Sequence, residues 1–224
     1  MKTVRTRAIV LRRTNYGEAD RIIQLLTPLG RRSVMARGVR REKSKLAGGI
    51  ELFAICDVVI GEGRGQLGVL TSARLVHFYH HILKDYDRTH TAYEVLSEIT
   101  KASESLDDSG WYDIASDVLM ALDVNTVPLA LVQAWFYLRM SSMMGEELNT
   151  ARDASGELLV PENCYRYDSS DKIFIPTQNG DITAEHIKIL RLLAANPLSA
   201  LVQIGGMNAY LPDVLYVARQ HASL

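Results

Sequence analysis

Cysteine is almost absent: Cys56 and Cys164 are the only two in 224 residues, they lie far apart, and no CxxC pair occurs. That scarcity excludes a disulfide framework and a complete cysteine zinc site, and it fits a reducing compartment. Long apolar runs are missing as well. No stretch of eighteen or more apolar residues appears, and the opening MKTVRTRAIVLRRTNYGEAD carries no apolar core of a secretory signal. The expectation is an unexported cytoplasmic protein with no membrane partner. Catalytic signatures are also lacking, with no Walker A motif, HExxH or GxSxG. No nucleophile, base and orienter fall in a recognisable arrangement, so no catalytic residue, no metal and no cofactor are expected, and the chain reads as a non-enzyme. GRGQLG formally matches GxGxxG through Gly63, Gly65 and Gly68, but that fingerprint needs a following helix. Here VLTSARLV alternates like a strand, and a hairpin turn is expected instead.

What the chain does have is a lopsided charge. Its total is only -1, yet residues 1–50 hold thirteen Lys and Arg against Glu18, Asp20 and Glu42, a net of +10. Residues 51–224 hold twelve basic and twenty-three acidic side chains, a net of -11. Such a contrast between segments points to a polyanion-binding region joined to an acidic one. The positive charge peaks in ARGVRREKSKLAGGIELF, residues 36–53, where Arg37, Arg40, Arg41, Lys43 and Lys45 crowd into residues 36–45 against Glu42 alone. A solvated loop would explain a charge run by itself. Three features argue for a ligand: positive strands flank the run, Gly38, Gly48 and Gly49 allow close backbone approach, and arginine, whose planar fork suits phosphate, outnumbers lysine. Tyr16 is the obvious aromatic near this segment, so a mainly electrostatic, sequence-blind and salt-dependent interaction is expected.

Periodicity divides the chain near residue 80. In VRTRAIVLRR, Val4, Thr6, Ala8 and Val10 share one face, while Arg5, Arg7 and Arg13 share the other with Ile9 and Leu11. RIIQLLT and RRSVMARGVR read as a hairpin around Pro28-Leu-Gly30, and LFAICDVVI and LGVLTSARLVHF as two further strands. Five short strands without intervening helices predict a small closed or nearly closed barrel. Beyond it, Ala92, Val95, Leu96 and Ile99 recur at helical spacing, as do Trp111, Ile114, Ala115, Val118, Leu119 and Leu122. NTVPLALVQAWFYLRMSSMMG has Asn125 or Thr126 as N-cap, Pro128 in its first turn and Gly145 at its close. Being apolar around most of its circumference, it belongs at the centre of a bundle. Residues 146–182 interrupt the pattern with two strand-like runs, NCYRY and KIFIP. Thr183 then caps AEHIKILRLLAA, which stops at Asn196-Pro197, and PLSALVQIGG and AYLPDVLYVARQ follow. The division expected is 1–80 and 81–224, with 146–182 as a small hairpin-like insert. His77, His80 and His81 have no carboxylate or cysteine at ligand spacing, and Met140, Met143 and Met144 read as packing.

Three stretches, TNYGEADRIIQLLTPLGR, the basic ARGVRREKSKLAGGIELF and GRGQLGVLTSARLV, resemble in this order the amino-terminal domain of the bacterial recombination mediator RecO family. The resemblance is close over residues 4–76 and looser beyond. It implies an α+β protein: an N-terminal OB-fold β-barrel, then a mainly helical C-terminal domain with a small irregular insert. Family members often carry a four-cysteine zinc site in that insert, and here the region is zinc-site-like but cysteine-poor, since Cys164 alone cannot close a tetrahedron. The resemblance further implies a nucleoid-associated DNA repair and recombination protein that binds single- and double-stranded DNA and anneals complementary strands. It would contact single-stranded DNA-binding protein, act with RecR, and indirectly help RecA load. Carried onto this chain, the nucleic-acid contacts are Arg37, Arg40, Arg41, Lys43 and Lys45, with Arg31 and Arg32 as neighbours. Arg139, on the apolar central helix, is the candidate for a protein partner, its alternative being an internal pair with Glu146 or Glu147. The rival function is a non-annealing adaptor whose barrel binds RNA or an acidic partner.

Overall fold

The computed structural model describes residues 2–62 and 67–223. The chain forms two compact units, Met1–Asp123 and Val124–Leu224. The first unit contains strands β1 (Thr3–Tyr16), β2 (Asp20–Thr27), β3 (Gly30–Ala36), β4 (Ala54–Gly61) and β5 (Leu67–Phe78), followed by helices α1 (Tyr86–Ser105) and α2 (Gly110–Leu122). The change of period near residue 80 marks the end of the strands, whereas the division by compactness comes later because α1 and α2 pack on the barrel's outer face.

Strand β1 is antiparallel to both β2 and β4, β2 to β3, and β4 to β5, so the order β1-β2-β3-β5-β4 returns to β1 as a closed barrel. Its interior is filled by alternating residues such as Ala8, Val10, Ile23, Leu25, Val34 and Val58. Closure is narrow. Strand β3 meets β5 in parallel over only three pairs, Ser33 with Leu67, Val34 with Gly68 and Met35 with Val69. Of the GRGQLG glycines, Gly63 and Gly65 lie outside the described residues; Gly68 sits in β5, so no helix follows it.

Strand β1 departs from simple alternation, since Ala8, Ile9, Val10 and Leu11 are all buried. The outward Ile9 and Leu11 are covered because α1 and α2 pack against this strand, and the pairing with β2 slips between Val10 and Arg12. Such a bulge bends the strand and re-aims the residues that follow.

In the second unit, α3 (Leu129–Met143) packs on α6 (Leu211–Ala222) and α4 (Ala184–Ala195), with the short α5 (Leu198–Leu201) between the last two in sequence. Helix α3 begins after Pro128 rather than at Asn125 or Thr126, because Pro128 keeps an extended backbone and Val124–Val127 forms a turn of its own. Thr183 caps α4 through a box in which His186 supplies the reciprocal contact usually made by Glu or Gln.

The insert requires a correction to the expected fold class. It is not zinc-site-like: the two strand-like runs form an antiparallel pair, β6 (Tyr165–Asp168) with β7 (Ile173–Pro176), whose Tyr165, Tyr167 and Phe174 are buried with edge-on ring contacts. Among the described residues no group of three or more His, Cys, Asp or Glu side chains could hold a metal ion. Aromatic packing occupies the place that thiolates would organise in a metal-built insert. No helix among the described residues is long and apolar enough to cross a membrane.

Candidate nucleic-acid interface

The basic segment leaves the barrel at the end where β3 and β5 finish and β2 and β4 begin, as the antiparallel registers require. It is a chain of turns held at fixed points. Val39 and Ile50 are buried in the barrel core with Leu46 packed against it, so apolar anchors pin both ends of the loop while its cations face water. Gly38 takes a left-handed backbone, φ +63°, and donates its N–H to the Asp20 carboxylate at 2.6 Å. Arg40 donates its backbone N–H to the Ala19 carbonyl at 2.9 Å and its guanidinium to the Gly17 carbonyl at 3.2 Å. Gly49 runs so close to β5 that a Cβ there would collide with the Ala73 carbonyl.

Asp20 of YGEAD thus belongs to the scaffold of the basic loop, a role that sequence reasoning missed. The available signal was an Asp flanked by turn residues, whose carboxylate commonly accepts nearby backbone N–H groups. What pairs it with Gly38 is the register of β2 with β3, in which Arg21 opposes Ala36.

The seven cations proposed from sequence fall into three groups. Arg37, Arg41, Lys43 and Lys45 are exposed and make no side-chain hydrogen bond or ion pair among the described residues. Arg40 is exposed but tied to the β1–β2 turn. Arg31 and Arg32 sit at the start of β3, the opposite end of the barrel. Arg31 pairs with Glu104 at 3.3 Å and its backbone N–H is accepted by Asp107 at 2.7 Å, while Arg32 folds onto the carbonyls of Leu29 and Arg31. The Arg31 contacts dock the β2–β3 turn on the end of α1 and the residues that follow it, whereas Arg32 only braces its own turn.

A further cationic face escaped the sequence reading because it needs three strands at once. Arg5 and Arg7 of β1, Asp57 of β4 and Arg74 of β5 border one open cleft of about 420 Å³, Arg7 standing opposite Asp57 and Asp57 opposite Arg74. Arg74 donates to Asp57 at 2.7 Å.

Arg139 is half-buried in α3. It donates to the Asn196 carbonyl at the end of α4 at 2.9 Å and lies over the Trp135 ring, whose indole N–H goes to the same carbonyl at 3.0 Å. Neither glutamate is its partner: Glu146 pairs with Lys172, and Glu147 accepts from Ser142 at 3.2 Å. Its Nε is buried without a partner. The histidines diverge, His81 meeting Asp123 at 3.2 Å while His77 packs against Tyr79.

Burial pushes the Cys56 thiol, inside the barrel, up to about 11, which leaves it protonated and unreactive near neutrality. The site is therefore electrostatic. Cations held on a preformed loop can grip phosphates without paying much ordering entropy.

The family model described as recombination protein O N terminal matches residues 1–79, which span the barrel and the basic segment. A DNA repair protein RecO of Dehalococcoides mccartyi is 30% identical over 209 residues, covering 89% of this chain and 81% of its own length. The chain belongs to the RecO family. Other RecO relatives include DNA repair proteins of Roseiflexus sp., 28% identical over 213 residues with 88% of this chain and 72% of the relative covered, and of Rubrobacter xylanophilus, 26% identical over 226 residues with 96% and 90% covered. As a member of the RecO family it is a non-catalytic protein.

Proposed function

We propose that this RecO-family chain is a cytoplasmic, nucleoid-associated protein of DNA repair that binds single- and double-stranded DNA and anneals complementary strands. In this reading it acts with RecR on DNA coated by single-stranded DNA-binding protein and so assists RecA loading. The observation that carries the reading is the basic segment, where Arg37, Arg41, Lys43 and Lys45 are uncommitted cations on a loop pinned by Asp20, Val39 and Ile50. Neutralising phosphates on two strands lowers their mutual repulsion and lets complementary bases meet. Watson–Crick pairing does the rest. Arg40 lends its charge from a fixed position; Arg31 and Arg32 contribute to the field from the far end of the barrel. Arg139 is proposed as the partner-binding residue of the helical unit, its unsatisfied Nε lying beside a small cavity of about 120 Å³ that Leu138, Glu147 and Ala194 also line.

The test is the rate at which two labelled complementary strands anneal, with and without the protein, over a salt series and with the coating protein present or absent. Acceleration that fades with salt and survives the coating protein at low salt is expected. Binding without acceleration would remove annealing from the function.

A further inference from the structure

The basic segment is poor in aromatic side chains, yet single-strand binders combine a positive groove with rings on which bases stack. The structure supplies rings from another element. Helix α1 buries Thr91, Ala92, Val95, Leu96 and Ile99 against its unit. On the opposite, solvent-facing side stand Tyr86, His90 and Tyr93, at i, i+4 and i+7, a single row by helical geometry. Solvent faces of helices ordinarily carry charged and polar side chains. Here Tyr86 is 81% exposed and Tyr93 51% exposed, and the Tyr86 and His90 rings lie near-parallel with centroids 6.3 Å apart.

This row adjoins the basic loop. Tyr93 meets the buried Phe53 edge-on at 4.9 Å, and Phe53 is the last residue of the basic stretch before β4. Phe53 holds a left-handed backbone, φ +56°, disfavoured for a bulky residue, while its carbonyl accepts the Tyr79 N–H at 3.0 Å. The topology agrees: β5 ends beside the start of β4, so α1 begins at the barrel end from which the basic segment emerges, and Glu104 near its other end reaches Arg31 at the far end. Charge also orients a ligand. Asp87 and Glu94 fall on the flank next to His90 while Phe53 lies against Tyr93 at the other edge, so phosphates are repelled from the acidic flank and directed to the Phe53 side.

We propose that Tyr86, His90 and Tyr93 form a base-stacking platform that continues the cationic loop, which makes unpaired, single-stranded nucleic acid the substrate class of this site. The proposal rests on the nucleic-acid reading of the basic segment. A duplex hides the base faces and gains only the electrostatic contacts; an unpaired strand gains both.

The experiment compares binding of oligothymidylate with that of an abasic oligonucleotide of equal length, at fixed salt and over a salt series, for the wild type and for Tyr86→Ala/His90→Ala. Both positions are exposed, and thermal unfolding matched to wild type confirms intact folding. Wild type is expected to bind oligothymidylate about tenfold or more tightly than the abasic strand, as stacking of one or two bases supplies. The double variant should lose most of that preference with abasic binding and salt slope unchanged, and Tyr86→Phe should keep it. A variant that retains the full preference, or weakens on both strands equally, overturns the platform while leaving the basic segment in place; the row would then suit a protein occupant. Wild-type binding that is absent or insensitive to salt refutes the basic-segment reading and the platform with it.

Discussion

The Asp20 carboxylate accepts the Gly38 backbone N–H at 2.6 Å, so the acidic residue opening β2 holds the entrance of the most basic loop in the chain. Counting charges, removal of Asp20 should favour DNA. The geometry predicts the reverse: in Asp20→Ala the charged hydrogen bond is lost at a cost of about 1.5–3 kcal/mol, the loop gains freedom, and DNA affinity falls. Binding titrations with amide exchange over residues 37–50 check this, and tighter binding by the variant would refute the scaffold role.

The cations differ in what they are already doing. Arg41→Ala/Lys43→Ala removes two uncommitted charges and should flatten the salt slope of single-strand binding by up to about 1.4, at roughly 0.7 per phosphate contact. Arg31→Ala should leave that slope nearly unchanged and instead lower stability by no more than about 1 kcal/mol through loss of the Glu104 pair. Equal slopes in all three proteins would take the loop out of the interface.

In the helical unit the Tyr167 hydroxyl meets His221 Nδ1 at 2.8 Å, and His221 Nε2 donates to the Glu146 carbonyl at 2.9 Å. A carbonyl only accepts, so Nε2 carries the proton and Nδ1 receives the phenol O–H. Burial holds His221 below its ordinary range; the Glu146 carbonyl and carboxylate oppose that shift, and Lys172 adds to it. Between the ordinary value near 6.5 and the lower folded value, the unfolded chain binds a proton that the folded chain does not. Stability from this site is thus complete above about pH 7 and declines as pH falls through that window, with no further loss below the folded value. Urea midpoints at a series of pH values should show this decline in wild type and a shallower one in His221→Gln. Identical pH profiles would clear His221 of the effect.

Packing of the Tyr165, Tyr167 and Phe174 rings supports β6 and β7. Chelator treatment should leave the thermal midpoint unchanged, whereas Phe174→Ala, which empties a fully buried site, should cost about 3–5 kcal/mol. Stoichiometric zinc in the purified protein, or a chelator-sensitive midpoint, would contradict this account.

Local pattern carried much of the architecture. Alternation in Val4 to Val10, the turn at Pro28-Leu-Gly30 and helical spacing from Ala92 to Ile99 mark strands and helices, because each is a period of adjacent residues. The burial of Ile9 and Leu11 was beyond such a pattern, since it depends on α1 and α2 covering the outer face of β1. Only the zinc-site-like character of the insert needed correction: Cys164 alone suggested a depleted zinc site, whereas the pairing of Tyr165–Asp168 with Ile173–Pro176 brings Tyr165, Tyr167 and Phe174 together as its buried support.

The sequence by itself determined the charge of the candidate interface. Thirteen cations in the first fifty residues are a composition, independent of fold. Tertiary structure decided which of those cations are free. Pairing of β2 with β3 set Asp20 against Gly38 and sent Arg31 and Arg32 to the opposite end, and the packing of α1 on the barrel brought Tyr93 to Phe53. Contacts between residues distant in sequence depend on strand register and helix packing, and neither is encoded in the local period of the chain.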